Sequence, residues 1–181
     1  MTRLEKMRQT LTVYYDDKDL MHDLSHIDRV LFTAQDLLDQ SMDEVNEDLL
    51  HAGAYVHGLL DMEEDQLDQL LRSVDFNPIE CKMIMKIANE SRKDAFPMTM
   101  EGRYLHDAHM LEGGPAFEFI KSMVTGSLRG QSLHESLDYF EGQLMGKGLC
   151  FTEVGIAAYK ETLSESRRLF QSLAKAVGYA E

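Results

Sequence analysis

The chain has no tryptophan, only three prolines, and just two cysteines, Cys81 and Cys150, set far apart inside apolar patterns. No CxxC pair exists, so neither a zinc ribbon nor a thioredoxin-type redox motif is present. The two thiols are read as reduced and buried in a cytoplasmic protein. Long hydrophobic runs are missing as well. Nothing approaches the ~18 consecutive apolar residues of a membrane span, and Met1–Gln9 is charged and amphipathic, without the apolar core of a secretory signal. Positive charge is scarce: 18 Lys and Arg stand against 32 Asp and Glu, a formal net charge of −14. That balance argues against nucleic acid as a partner, because phosphate backbones need a basic footprint. It also means that an anionic ligand would depend on a metal or a local cationic patch. Finally, no run alternates apolar and polar residues between turn signals, which removes the case for a sheet.

What is present is helical periodicity. Thr2 to about Tyr15 forms a first helix, ended by the charged turn Asp16–Asp19. A second starts near Ser25 and runs to about Leu38, with Ile27, Val30, Leu31, Ala34, Leu37 and Leu38 on the helical period. Ser41 with Glu44 has the spacing of a capping box and predicts the start of a third helix, which reaches about Leu60. This third helix is apolar almost all round from Leu49, so it is expected at the centre. Glu63–Ser73 follows. Asn77, Pro78 and Glu80 then supply cap, first-turn proline and box partner for a fifth helix ending near Glu90. A sixth helix spans about Met100 to Leu111. Gly113-Gly114-Pro115 opens a seventh, with Phe117, Ile120, Met123 and Val124 expected inward. Ser132 and Glu135 cap an eighth, and the last runs from about Thr152 to Val177. The expectation is one all-α domain over residues 1–181, large enough to bury a core.

Chemistry concentrates in three helix-borne clusters: His22-Asp23-Leu24-Ser25-His26, then His57 near the end of the most apolar helix, then His106-Asp107-Ala108-His109. A lone imidazole on an apolar face is usually a core or capping residue. Several such groups on separate helices are what a metal site inside a bundle requires.

The order of these clusters resembles the HD-domain metal-dependent phosphohydrolases, small bacterial members in particular. Their signature is a His in an H-x-x-R-V-like helix start, a His-Asp pair closing an apolar helix, and a distant Asp. Here the first element reads His26-Ile27-Asp28-Arg29-Val30, the second His57-Gly58, and the third Asp107-Ala108-His109-Met110-Leu111. Glu101-Gly102-Arg103 precedes the third and Glu112-Gly113-Gly114 follows it. The similarity extends from about His22 to Val177 and implies a single-domain helical bundle of the HD type.

Four departures bear on activity. Gly58 stands where the family has its ligand Asp, and His109 where it has the distant Asp. A position that in some members holds a further His falls near Glu90. The segment after His57, Asp61-Met62-Glu63-Glu64-Asp65, is acidic where relatives often place basic substrate-binding residues. One reading is an active hydrolase or oxygenase with a three-imidazole metal site of His26, His57 and His109. Neutral nitrogen donors favour Zn, Fe, Ni or Mn over Mg, with Asp107, or secondarily Asp61 or Glu90, as base or orienter. The other reading is a pseudoenzyme, metal-free or nearly so, whose cavity is kept for a phosphorylated or apolar small molecule or for a protein. The expectation adopted is a phosphohydrolase-like protein with weak or lost hydrolysis; a homodimer stands open. Rebuilding the pattern with Gly58→Asp and His109→Asp is the natural test of that reading.

Other features are given ordinary roles. His51 and His134 are expected at the surface or in structural positions, and His106 is a neighbour or alternative ligand to His109. Gly126–Gln131 lacks the spacing of a phosphate loop. Met83, Met85, Met98, Met100, Met110 and Met123, among 12 methionines, fill gaps in the core or line an adaptable apolar pocket.

Overall fold

Local capping chemistry sets most of the helix starts in the computed structural model, which describes residues 1–179. Thr2 and Glu5 form a reciprocal box at the start of α1 (Arg3–Leu11), which runs on into a 3₁₀ turn, Thr12–Tyr14. The Asp23 side chain accepts from the Ser25 amide and opens α2 (Leu24–Asp39). Then come α3 (Glu47–His57), α4 (Glu64–Ser73) and α5 (Pro78–Glu90). The last of these has the expected Asn77–Glu80 box with Pro78 in the first turn. Thr99 caps α6 (Met100–Met110). After α7 (Gly114–Leu128), the Ser132–Glu135 box opens α8 (Leu133–Tyr139), which widens into a π-helical turn, Phe140–Leu144. Thr152 caps the long α9 (Glu153–Ala176). Among the described residues there is no strand, and no helix is long and apolar enough to cross a membrane.

Two local expectations need correction. The third helix begins at Glu47, not at the Ser41–Glu44 signature, because Asn46 supplies the cap by accepting from the Leu49 amide. Ser41 is used elsewhere: its Oγ accepts from the Asp43 amide and donates to the buried Tyr104 hydroxyl 2.6 Å away, which in turn donates to the Asp43 carboxylate at 2.8 Å. On α7 the inward face is also rotated. Ile120 is exposed, while Ser122 and Gly126 are buried and Phe119 and Met123 pack inward.

The apolar α3 lies at the centre, as its composition predicts. It packs against α5 and α6 and is flanked by α1 and α2. Leu50, Ala54, Val56, Ile84, Ile87 and Leu105 are at most 1% exposed in this first core. Burial of each Leu or Ile stabilises by ~1.5–3 kcal/mol. Arg3 reaches Asp48 and Glu80 from α1, but such exposed pairs contribute at most ~1 kcal/mol each. Met7, Leu11 and Tyr15, all buried, are what hold this end of the chain against α3. A second, smaller core joins α7, α8, the π turn and the end of α9 through Leu137, Phe140, Phe170 and Ala174. Both cysteines are free, Cys81 buried and Cys150 half-buried. The methionines serve both cores. Of the six singled out in sequence, only Met110 faces the cavity described below, and Met98 is exposed.

Candidate metal centre and adjoining cavity

The packing of α2, α3 and α6 brings together three imidazoles that sit at element ends. His26 is in the first turn of α2, His57 is the last residue of α3, and His109 is in the last turn of α6. Ring centroids lie 4.4 Å apart for His57–His109, 5.4 Å for His26–His109 and 5.9 Å for His26–His57. One ring nitrogen from each lies within 4.8 Å of those from the other two.

The hydrogen bonds decide which nitrogen is free. His109 Nδ1 lies 3.2 Å from the Ser91 carbonyl, which only accepts, so Nδ1 carries the proton. Ser91 Oγ donates to the Ala88 carbonyl at 2.6 Å, so the 2.6 Å contact with His57 Nδ1 is donated by the ring. His26 Nδ1 lies 2.9 Å from Glu112 Oε1, close but off the line of the N–H, and a carboxylate again only accepts. In His57 and His109, Nε2 therefore keeps its lone pair, and the Glu112 carboxylate beside His26 Nδ1 favours the same tautomer there. Imidazole ligands are held in this way in metal sites, with the far nitrogen donating to a carbonyl, hydroxyl or carboxylate.

Electrostatics point the same way. Burial, with His26 and Lys121 nearby, pushes the His57 pKa down to about 4. Burial and the two neighbouring imidazoles hold His109 well below its usual range. Burial also lowers His26, against the pull of Glu112. All three are thus neutral near pH 7, the state a metal ligand must have. Burial alone would raise the Glu112 carboxyl, but His26 and Lys121 outweigh it and hold the pKa at about 2. Glu112 also accepts from Arg29 Nε at 2.7 Å and Lys121 Nζ at 2.7 Å. Sequence reading passed over Glu112 as a flanking residue. Its only signal was position, directly after the third motif.

Asp107 faces elsewhere. Its buried carboxylate accepts from the Phe151 amide (2.8 and 3.1 Å), the Thr152 amide (2.8 Å) and Thr152 Oγ1 (2.7 Å). It thereby anchors the start of α9, and it is not part of the imidazole group. Asp61 is exposed, and Glu90 accepts from the Thr99 amide and hydroxyl at the entry to α6. His106 is fully buried beside Phe151 rather than with the three imidazoles. His134 is exposed and His51 half-buried. Nor is the space beside Gly58 empty. A Cβ there would meet Tyr15 Oη at 2.5 Å and Cε1 at 2.8 Å. Tyr15 is 2% exposed, and its hydroxyl donates to the Tyr55 carbonyl at 2.6 Å.

Beside His109 opens a cavity of about 280 Å³ between the two cores. Lys93, Lys121 and Arg129 contribute cations to its wall, Glu118 a carboxylate, and Tyr139 and Tyr159 aromatic rings. His22 stands in the same wall, its Nδ1 held by the Asp19 carboxylate at 2.9 Å. The acidic stretch after His57 does not line this space. The local cationic patch that an anionic ligand would need in so acidic a chain therefore exists, supplied mainly by α7 rather than by the loop after α3.

No protein-family model and no curated protein matches the sequence. Solved structures match over nearly the whole length. An HD-superfamily hydrolase of Bacillus thuringiensis is 21% identical with a TM-score of 0.75, covering 99% of this chain and 100% of its own. YpgQ of Bacillus subtilis in complex with ADP is 16% identical with a TM-score of 0.80, over 96% of this chain and 97% of its own. A Lactobacillus plantarum protein is 15% identical with a TM-score of 0.80, over 98% of both chains. At such identities it is the shared backbone that counts. The chain adopts the all-α fold of an HD-superfamily hydrolase.

Proposed function

We propose that this protein binds a borderline divalent ion through His26, His57 and His109 and a phosphorylated small molecule in the cavity beside them, with weak or no Mg²⁺-dependent hydrolysis. One observation carries the reading: three neutral imidazoles stand together, two of them with Nδ1 hydrogen-bonded, and one of them, His109, lines a cavity that holds three cationic side chains. The donor set fits Zn, Fe, Ni or Mn and lacks the hard oxygens that Mg²⁺ prefers. YpgQ, which shares the fold, is solved with ADP. That supports a phosphate-bearing ligand here.

The roles of the chain's own residues follow from their contacts. Glu112 orients His26 and draws Lys121 toward the metal end of the cavity. Ser91 orients the other two imidazoles, His57 through its hydroxyl and His109 through its carbonyl. Lys93, Lys121 and Arg129 offset the charge of a phosphate that the overall field of the protein repels. When bound, the ion supplies Lewis acidity toward a phosphoryl oxygen. Asp107 holds α9, and so the far wall of the cavity, in place. Because its carboxylate is already used by four hydrogen bonds, it is not available as a base. Among the described residues no carboxylate converges with the three imidazoles, and Glu112 beside His26 is engaged by Arg29 and Lys121, so proton abstraction has no free carboxylate at the group.

The test is metal stoichiometry on protein purified without a chelating column, then loaded with Zn²⁺, Mn²⁺ or Mg²⁺. About one Zn²⁺ or Mn²⁺ per chain is expected. His57→Ala should lose it, and Glu112→Gln should weaken affinity ~10–100-fold. A phosphatase and nucleotidase screen should show little turnover with Mg²⁺. Equal metal content in wild type and His57→Ala, or robust turnover with Mg²⁺, would refute the proposal.

A further inference from the structure

Glu118 is the one acidic side chain of the cavity wall that the proposed metal and phosphate roles leave without a task. It belongs to α7, one turn before Lys121, and both line the same space as His109. Glu112, the other acid in the wall, is engaged by Arg29, Lys121 and His26. Glu118 has far less: among the described residues its hydrogen bonding is a single contact from Ser166 Oγ at 3.5 Å, the outer limit for such a bond. A half-buried carboxylate with three or more open acceptor positions in a ligand-sized space is a costly arrangement unless something donates to it.

The surroundings narrow what that donor is. Lys93, Lys121 and Arg129 already make this wall cationic, which disfavours an ammonium group on the ligand. Much of the remaining polar lining is neutral and suited to hydroxyls, Thr125, Thr162, Gln131, Tyr139 and Tyr159 among it. A volume of about 280 Å³ lies at the low end for ligand pockets, ~300–1,000 Å³, and so favours a compact molecule. Burial shifts the carboxyl upward from its ordinary range, which is relieved when hydroxyl groups donate to its ionised form.

Building on the phosphate-binding reading above, we infer that Glu118 is a specificity-determining residue that accepts hydrogen bonds from the hydroxyl groups of a phosphorylated polyol. The phosphate lies toward Lys121 and the hydroxyls toward Glu118. Ligands that carry the phosphate without hydroxyls leave the carboxylate unpaired and are disfavoured.

The experiment compares three probes by calorimetry on the full chain with its metal: inorganic phosphate, n-propyl phosphate, and glycerol 3-phosphate. The last two share size and charge and differ in two hydroxyls. Wild type is expected to prefer glycerol 3-phosphate over n-propyl phosphate by about tenfold or more. In Glu118→Gln that preference should shrink to about twofold, while inorganic phosphate binds as well as or better than in wild type, since a nearby negative charge is gone. Ser166→Ala, which leaves the carboxylate intact, should keep the preference and controls for disturbance of the wall. If wild type binds phosphate but does not distinguish the two esters, or if Glu118→Gln keeps the full preference, the role of Glu118 is refuted and the phosphate reading stands. If inorganic phosphate does not bind the wild type at all, the phosphate reading falls and this inference with it.

Discussion

Replacing Gly58 by aspartate restores, on paper, the missing ligand of the HD pattern, and the structure gives that substitution a different outcome. Gly58 has φ −75° and ψ −2°, a backbone that any residue accepts, so no conformational strain opposes the change. The obstacle is space. The new Cβ would stand 2.5 Å from Tyr15 Oη, 2.8 Å from Cε1 and 3.0 Å from Cζ, and an aromatic ring has no flexible end to move aside. Admitting the side chain means displacing a buried phenol and its hydrogen bond to the Tyr55 carbonyl. Overpacking costs ~1–3 kcal/mol and an orphaned buried carbonyl ~1–3 kcal/mol, about 2–6 kcal/mol together. For a chain of this size that corresponds to a thermal midpoint lower by roughly 4–24 °C. Gly58→Asp should therefore destabilise without strengthening Mg²⁺ or Mn²⁺ binding. Tyr15→Ala with Gly58→Asp should be more stable than the sum of the single changes by at least ~1 kcal/mol, because the first creates room for the second. Urea melts of the four proteins, with metal titrations of each, measure this. A stable Gly58→Asp protein, or strict additivity, would show that Tyr15 does not occupy the ligand's place. By the same reasoning, Gly58→Asp with His109→Asp is insufficient to rebuild the family's ligand set, since Tyr15 must give way too.

Two further outcomes are expected. The His57 pKa is about 4 in the folded protein against 6.5 for the free side chain, so between these values the unfolded chain takes up a proton that the folded one refuses. The contribution of His57 to the stability of metal-free protein should be intact above pH 6.5 and fall by roughly 3 kcal/mol as pH drops to 4, with His26 and His109 adding to the loss in the same direction. A His57→Gln variant should show a flatter profile in urea unfolding across that range, and an unchanged slope would contradict the assignment. Asp107→Asn should cost ~2–4 kcal/mol by weakening the anchor of α9, yet leave metal stoichiometry at the wild-type value. Loss of metal in a fully folded Asp107→Asn protein would place this carboxylate at the site after all.

Features whose partners are near in sequence are legible from residue types alone. The Asn77-Pro78-Glu80 and Ser132–Glu135 boxes each complete their hydrogen bonds within one turn, so residue types alone specify those helix starts. The apolar girth of α3 placed it at the centre for the same reason: burial on all sides needs apolar residues on all sides. His26, His57 and His109 could be singled out by type and order, and they do stand together. The misreadings share one cause. The Ser41–Glu44 signature is sound locally, but Ser41 is taken by Tyr104, 63 residues away. Asp107 looks like a site carboxylate until Phe151 and Thr152 arrive from 44 and 45 residues on. Glu112 looks like a flank until His26, Arg29 and Lys121 converge on it. Residue types and their spacing specify the helices, the central one among them, and which imidazoles could meet. Tertiary structure alone decided which nitrogen each imidazole leaves free, where the cations of an acidic chain collect, and that a tyrosine fills the space beside Gly58. Periodicity and capping act over a turn or two, whereas a carboxylate's or a cavity's role depends on which distant groups the packed helices bring to it.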